Sequence, residues 1–266
     1  MRRWRLADAD WNHWSDGLAD TALWPALAGL GLAGVEIGVY TAAEQLAPVR
    51  VARWPELTAR YGIGVVAVLL SLPAPRWPDG ALGGCAIGVA EQVRHCARIC
   101  RRLGLSTLGL WPGADPPGTA WPALVAGLGQ ARDAATAEGV RLAVEYKPGT
   151  AVPDAATALA LADAVEGTGV LLDLGHAYAA GEDPVEVTHR LGARLWHVHL
   201  GDAAPGRPDD DLPLGRVHDA RPVLAALDAI GFTGVAAFDL YGATGTGELR
   251  GRDAVAQSLA HLGGPR

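Results

Sequence analysis

Apolar periodicity along this chain switches repeatedly between a two-residue and an about 3.6-residue repeat, and the switch recurs eight times. Strand-like runs are predicted at "WRLADADW" (4–11), "GVEIGVY" (34–40), "GVVAVLLSL" (64–72) and "LSTLGLW" (105–111). Four more follow at "VRLAVEY" (140–146), "GVLLDLG" (169–175), "RLWHVHL" (194–200) and "GVAAFDL" (234–240). Between them, amphipathic stretches predict helices over 21–33, 41–61, 85–103, 119–138, 154–165, 184–192, 220–230 and 253–262. Most open with Asp, Thr or Pro and close at Gly, the expected cap chemistry. Parallel strands need crossover helices, and eight such units can close on themselves. The pattern therefore predicts a (β/α)8 barrel, an α/β TIM barrel spanning 1–266 as one domain. The rival doubly wound sheet usually carries a Gly-rich phosphate turn after its first strand, and "ADADWNHW" has none.

Composition bounds the partners. A chain of 266 residues that is 50% hydrophobic can bury a barrel-sized core. Its formal net charge of −7 disfavours nucleic acid, which requires a concentrated basic face. No apolar run approaches the roughly 18 residues of a membrane span, and "MRRWRLADADW" lacks the apolar stretch of a signal peptide. Cys85, Cys96 and Cys100 read as reduced packing residues, so a cytoplasmic location is expected. Apolar helices would support a homo-oligomer, a dimer or a tetramer.

In a barrel of this kind the C-terminal strand ends form the active face. Side chains alternate along a strand, so Glu145 shares a face with Lys147, and His197 with His199. The same parity turns Glu36, Asp173 and Asp239 inward and Val144, Leu172, Val198 and Phe238 toward the helices. Glu145, Asp173, His199 and Asp239 then converge on one mouth from strands five to eight, with His176 three residues beyond Asp173. Clustered carboxylates repel unless a cation sits among them, and three carboxylates with one imidazole suit Mn²⁺, Co²⁺ or Mg²⁺. A second acidic group, Asp202, Asp209, Asp210 and Asp211, follows in "HLGDAAPGRPDDDLPLG". Its position after His199, with His176 facing it, makes a second ion plausible. Lys147 is the one lysine among 22 basic residues. It places a compact charge on a flexible stem over the site, where arginine would bring a planar fork.

These motifs resemble a family. "EYKP", "DLGH", "HLGD" and "DDDL" look like the xylose isomerase-like TIM barrels, and most like L-rhamnose isomerase and related sugar isomerases. The resemblance implies one divalent ion, Mn²⁺ before Co²⁺ or Mg²⁺, on Glu145, Asp173, His199 and Asp239. It implies a second ion held or positioned by His176, Asp209 and Asp211. Those three residues and Lys147 form the implied catalytic set, with Lys147 touching a sugar oxygen. Trp111, in "LWPGAD", and His13 on the first strand are the implied sugar-facing walls. The likeness is closest over about 140 to 242. It departs from the family in "HLGD" for "HFND", in a longer stretch before the Asp triplet, and in a shorter chain.

The expected activity is metal-dependent aldose–ketose isomerisation by hydride shift, on a small-molecule sugar. The alternative is an epimerase or isomerase in which carboxylates move a carbon-bound proton. Epimerases of the superfamily resemble one another in a final-strand glutamate, where this chain has Asp239. An endonuclease of the apurinic-site type is disfavoured by charge, and a non-enzymatic sugar-binding barrel would not need the strand-end carboxylates.

Overall fold

The computed structural model describes residues 3–263. Eight parallel strands close into a barrel in sequence order, with the first paired to the last. They are β1 (Arg5–Ala9), β2 (Gly34–Val39), β3 (Gly64–Ser71), β4 (Thr107–Trp111), β5 (Arg141–Glu145), β6 (Thr168–Asp173), β7 (Leu195–Leu200) and β8 (Val235–Phe238). Every strand-like run of the sequence supplies one. No helix among the described residues is long and apolar enough to cross a membrane.

The outer face of the barrel packs against helices through side chains of one parity, among them Val144, Leu172, Val198 and Phe238, all fully buried. The helix Ala86–Arg102 turns Cys96 and Cys100 into this layer as free thiols. Burial pushes the Cys100 thiol up to about 12, which suits packing and not reactivity. Inside the barrel the fill is lighter. Ala7, Val66, Ala67, Val235 and Ala237 occupy its lower part, and Ala9, Trp11, Leu69, Ala143 and Leu171 its upper part.

The helical stretch expected over 41–61 is instead three short helices, Ala42–Gln45, Pro48–Val51 and Trp54–Tyr61. Pro48 and Pro55 each sit in a first turn, where a missing N–H costs nothing, so each starts a new segment. Three helical turns at the C-terminal mouth are additions to the expected pattern: Asp10–His13, Leu174–Ala179 and Tyr241–Gly245. β6 ends at Asp173, short of the expected Gly175, because the Asp173 carboxylate accepts the His176 N–H and caps the next helix. β1 likewise gives way at Asp10 to a 3₁₀ turn. Asp10 fixes that turn by accepting the Gly38 N–H at 2.8 Å and an Arg50 N–H at 2.8 Å, while Arg50 also grips Asp20.

Candidate active site

Register brings the four inward donors to one level. Asp173 lies beside His199, and His199 beside Ala237, two residues before Asp239. His199 Nδ1 stands 3.6 Å from Glu145 Oε1, 3.7 Å from Asp173 Oδ2 and 3.5 Å from Asp239 Oδ2. The Asp173 Oδ2 and His199 Nδ1 atoms are buried with no hydrogen-bond partner among the described residues. Two orphaned donors aimed at one point demand a partner, since unpaired buried polar atoms are costly.

The donor set fits a divalent cation. Donors about 2.1 Å from one ion stand about 3.0 Å apart at right angles and about 3.4 Å apart in a tetrahedron. The observed separations close to those values with small side-chain shifts. The charges agree. Burial raises Asp239; His199 opposes the rise, and Asp173 and Glu145 add to it. Burial would also raise Glu145, but His199 and His176 more than offset it and hold this carboxyl well below the usual range. His199 is raised well above an ordinary imidazole by Glu145 and Glu36 despite burial. The imidazole is thus standing in for positive charge that the carboxylates require.

Outer contacts orient the donors. Trp11 Nε1–H donates to Asp239 Oδ1 at 2.8 Å, leaving Oδ2 for the centre. Glu36 Oε2 lies 3.5 Å from His199 Nε2 and accepts from His197 Nε2 at 2.8 Å. With a cation bound in place of the Nδ1 proton, a proton kept on Nε2 toward Glu36 would leave the His199 Nδ1 lone pair for the ion, the usual role of a carboxylate behind a ligand histidine. Parity had turned Glu36 and His197 inward without giving either a task.

Above the donors lies a cavity of about 460 Å³ lined by Trp11, Trp14, Tyr40, Trp111 and Tyr241, with Glu145, Lys147, His176, Asp209, Asp211 and Asp239. Lys147 Nζ is 2.6 Å from Asp209 Oδ1 and 5.4 Å from the Trp111 ring centre. Trp111 therefore stands where a sugar-facing wall was expected.

His13 does not. The 3₁₀ turn carries it off β1 into full burial, where its Nε2–H donates to Asp8 Oδ2 at 2.7 Å. It is absent from the cavity lining, and Trp11 and Trp14 of the same turn take the wall instead. Two tryptophans three residues apart just past a strand were the available signal.

The expected second-ion set is also not assembled. His176, Asp209 and Asp211 are not among the described groups whose donors lie within one coordination sphere. His176 Nδ1–H donates to the Tyr146 carbonyl at 2.9 Å and lies 3.2 Å from Glu145 Oε1, so it joins the first cluster. Asp209 is drawn out to Lys147 and is mostly exposed. Asp210 accepts from Arg207 and from the Ala204 N–H, and buried Asp202 holds His218. Of the triplet, Asp209 and Asp211 both line the cavity, and Asp211 is the less exposed of the two. It has φ +36°, the one non-glycine in left-handed backbone among the described residues, which costs on the order of 1 kcal/mol. Burial, reinforced by the Asp239 charge, pushes its carboxyl up to about 8.

Known proteins share this architecture. A D-allulose 3-epimerase from Methylomonas sp. superposes with a TM-score of 0.76 at 18% identity, covering 99% of this chain and 97% of that one. The IOLI protein, solved with a bound zinc atom, superposes at 0.72 with 17% identity, covering 97% and 98%. By sequence, inosose dehydratase from Geobacillus kaustophilus is 37% identical over 84 residues, only 31% of this chain and 27% of that enzyme. Residues 24–263 match the model of the xylose isomerase-like TIM barrel, and the chain belongs to that family.

Proposed function

We propose that this chain is a divalent-metal-dependent sugar epimerase or isomerase that moves a proton at the carbon next to a carbonyl. The observation that carries it is a pair of donor groups sharing Asp173, one with His199 and Asp239 and one with Glu145 and His176, with two orphaned donors beside an aromatic cavity. Glu145, Asp173, His199 and Asp239 would hold the ion, which as a Lewis acid would polarise the substrate carbonyl. Glu145, held ionised, is the base that takes the proton from carbon, using the oxygen it does not turn toward the histidines. Asp211, whose carboxyl burial holds above the usual range, is the acid that returns one; two carboxyls pushed apart in this way divide the two roles. His176, its Nδ1 proton committed to Tyr146, offers Nε2 to a substrate hydroxyl. Lys147 donates to a substrate oxygen, while the tryptophan and tyrosine walls cover the C–H faces of the sugar and exclude water.

Proton transfer replaces hydride shift as the first reading because His176, Asp209 and Asp211 do not close around a second ion. The epimerase and dehydratase names of the relatives support it too. Hydride shift remains the second reading, favoured by Asp239, which Trp11 pins as an ion donor and which is one methylene shorter than a glutamate. The test is turnover of free aldoses, ketoses and inososes with Mn²⁺, Co²⁺ or Mg²⁺, followed by NMR in D₂O. Proton transfer incorporates one solvent deuterium at the reacting carbon. Product formed without deuterium in a single turnover moves the assignment to hydride shift. No product from any carbonyl sugar, by a protein that binds the ion, removes both.

A further inference from the structure

At the opposite end of the barrel a second cavity, of about 350 Å³, opens between the N-terminal ends of the strands. It exists because the lower barrel interior is filled by small side chains, Ala7, Ala67 and Ala237 among them. Its volume lies at the low end of small-molecule sites, roughly 300–1,000 Å³. Its polar lining is Arg5, Ser106, Thr107, Thr233, Arg141 and His197, and no Asp or Glu lines it. In a chain of net charge −7 this is a local reversal of sign.

The cations are uncommitted. Neither Arg5 nor Arg141 forms an ion pair among the described residues, whereas nine other arginines do. Arg141 is held in place all the same. Its guanidinium lies 4.5 Å from the Trp196 ring centre, and its Nη2–H donates to Thr107 Oγ1 at 3.1 Å. Trp196 in turn presses flat on Gly169, where a Cβ would meet the ring at 2.2 Å. His197, 4% exposed, has Nε2 bonded to Glu36 and no hydrogen-bond partner for Nδ1 among the described residues. A cavity with one preplaced guanidinium, a second guanidinium at its rim, hydroxyl donors and a half-committed imidazole matches an oxyanion, because arginine forks onto planar or tetrahedral oxygens.

We infer that the N-terminal mouth of the barrel is a binding site for a small oxyanion-bearing molecule, held by Arg5, Arg141 and His197 and separate from the metal centre. The anion is either free phosphate or the phosphoryl group of a small metabolite seated against Val66, Val235 and Phe232. The site does not depend on the activity proposed for the other mouth.

Inorganic phosphate and glycerol 3-phosphate are the probes, with neutral glycerol as control, in calorimetric titrations before and after EDTA treatment. Saturable binding of one anion per chain is expected, unchanged by EDTA and absent for glycerol. Tighter binding of the ester identifies an organic ligand, and equal binding identifies the free ion. Arg141→Gln and Arg5→Gln, both on exposed side chains, should each weaken binding about 10-fold, whereas Arg252→Gln at a remote helix should not. No saturable binding at 10 mM-scale phosphate (about 10 mM), loss of binding with EDTA, or full affinity in the Arg141→Gln variant would each overturn the inference.

Discussion

Asp173→Asn isolates the metal proposal from the fold. The Asp173 side chain has two separate duties: Oδ1 accepts the His176 N–H at 2.8 Å, and Oδ2 is the orphan facing His199. Asparagine keeps the first and replaces the second with an NH₂ that cannot bind a cation. In ion-free protein the change also removes one negative charge from a crowded cluster while depriving His199 of a carboxylate neighbour, so the net effect should stay within about 1 kcal/mol. The ion acts only through native-state binding. At an ion concentration of about 100 times Kd it adds about 2.7 kcal/mol, and a chain of this size gains about 2–4 °C per kcal/mol. Wild type should therefore melt about 5–10 °C higher in saturating Mn²⁺ than in EDTA. If losing a donor weakens affinity about 100-fold, the same ion concentration adds only about 0.4 kcal/mol to the variant, about 1 °C. Calorimetric melting with and without ion, beside elemental analysis, reads both quantities. An Asn variant with the wild-type metal-dependent shift and metal content would refute the donor assignment.

Lys147→Arg preserves charge but not the point contact with Asp209 beside Trp111, so turnover should fall at least about 10-fold, or about 1.4 kcal/mol; near-native kcat would leave the lysine a rim residue. Asp211→Asn should abolish most turnover while leaving metal content unchanged, and an active variant would return that role to another group. Asp10, raised by burial to about 6 although Arg50 opposes, takes up its proton more readily folded than unfolded. Its contribution is full below about pH 4 and is lost as pH rises through 6, on the order of 3 kcal/mol. Denaturation of wild type and Asp10→Asn across pH 4–7 should show that difference growing with pH in favour of the variant, and parallel profiles would contradict it.

The barrel and its donors were legible because both depend on period two. Alternation located each strand, and the same parity aimed Glu145, Asp173, His199 and Asp239 at one point. What was not legible lay beyond the strand ends, where periodicity stops and local hydrogen bonds decide. His13 was lost to a turn held by Asp10 and Arg50, a contact 40 residues apart in sequence. The acidic triplet was divided among Lys147, Arg207 and the cavity by side-chain pairings that no spacing encodes. Glu36 and His197, 161 residues apart, were each placed on the correct face, yet their pairing depends on barrel closure.

The two halves of the chain hold different parts of the mouth. Every carboxylate, imidazole and ammonium group lining the cavity lies at the end of β5 or beyond it, whereas Trp11, Trp14, Tyr40, Ser71 and Trp111 lie at or just after the ends of β1 to β4. Reactivity and shape are therefore inherited separately. Under the proposed function, exchanging the loops after the first four strands would alter these walls while leaving Glu145, Lys147, His176 and Asp211 in place. Two aromatic residues cross this division: Trp11, whose indole both walls the cavity and holds Asp239, and Tyr241, a wall that follows β8. A graft that retains Trp11 would keep the indole that holds Asp239 while replacing the surrounding walls.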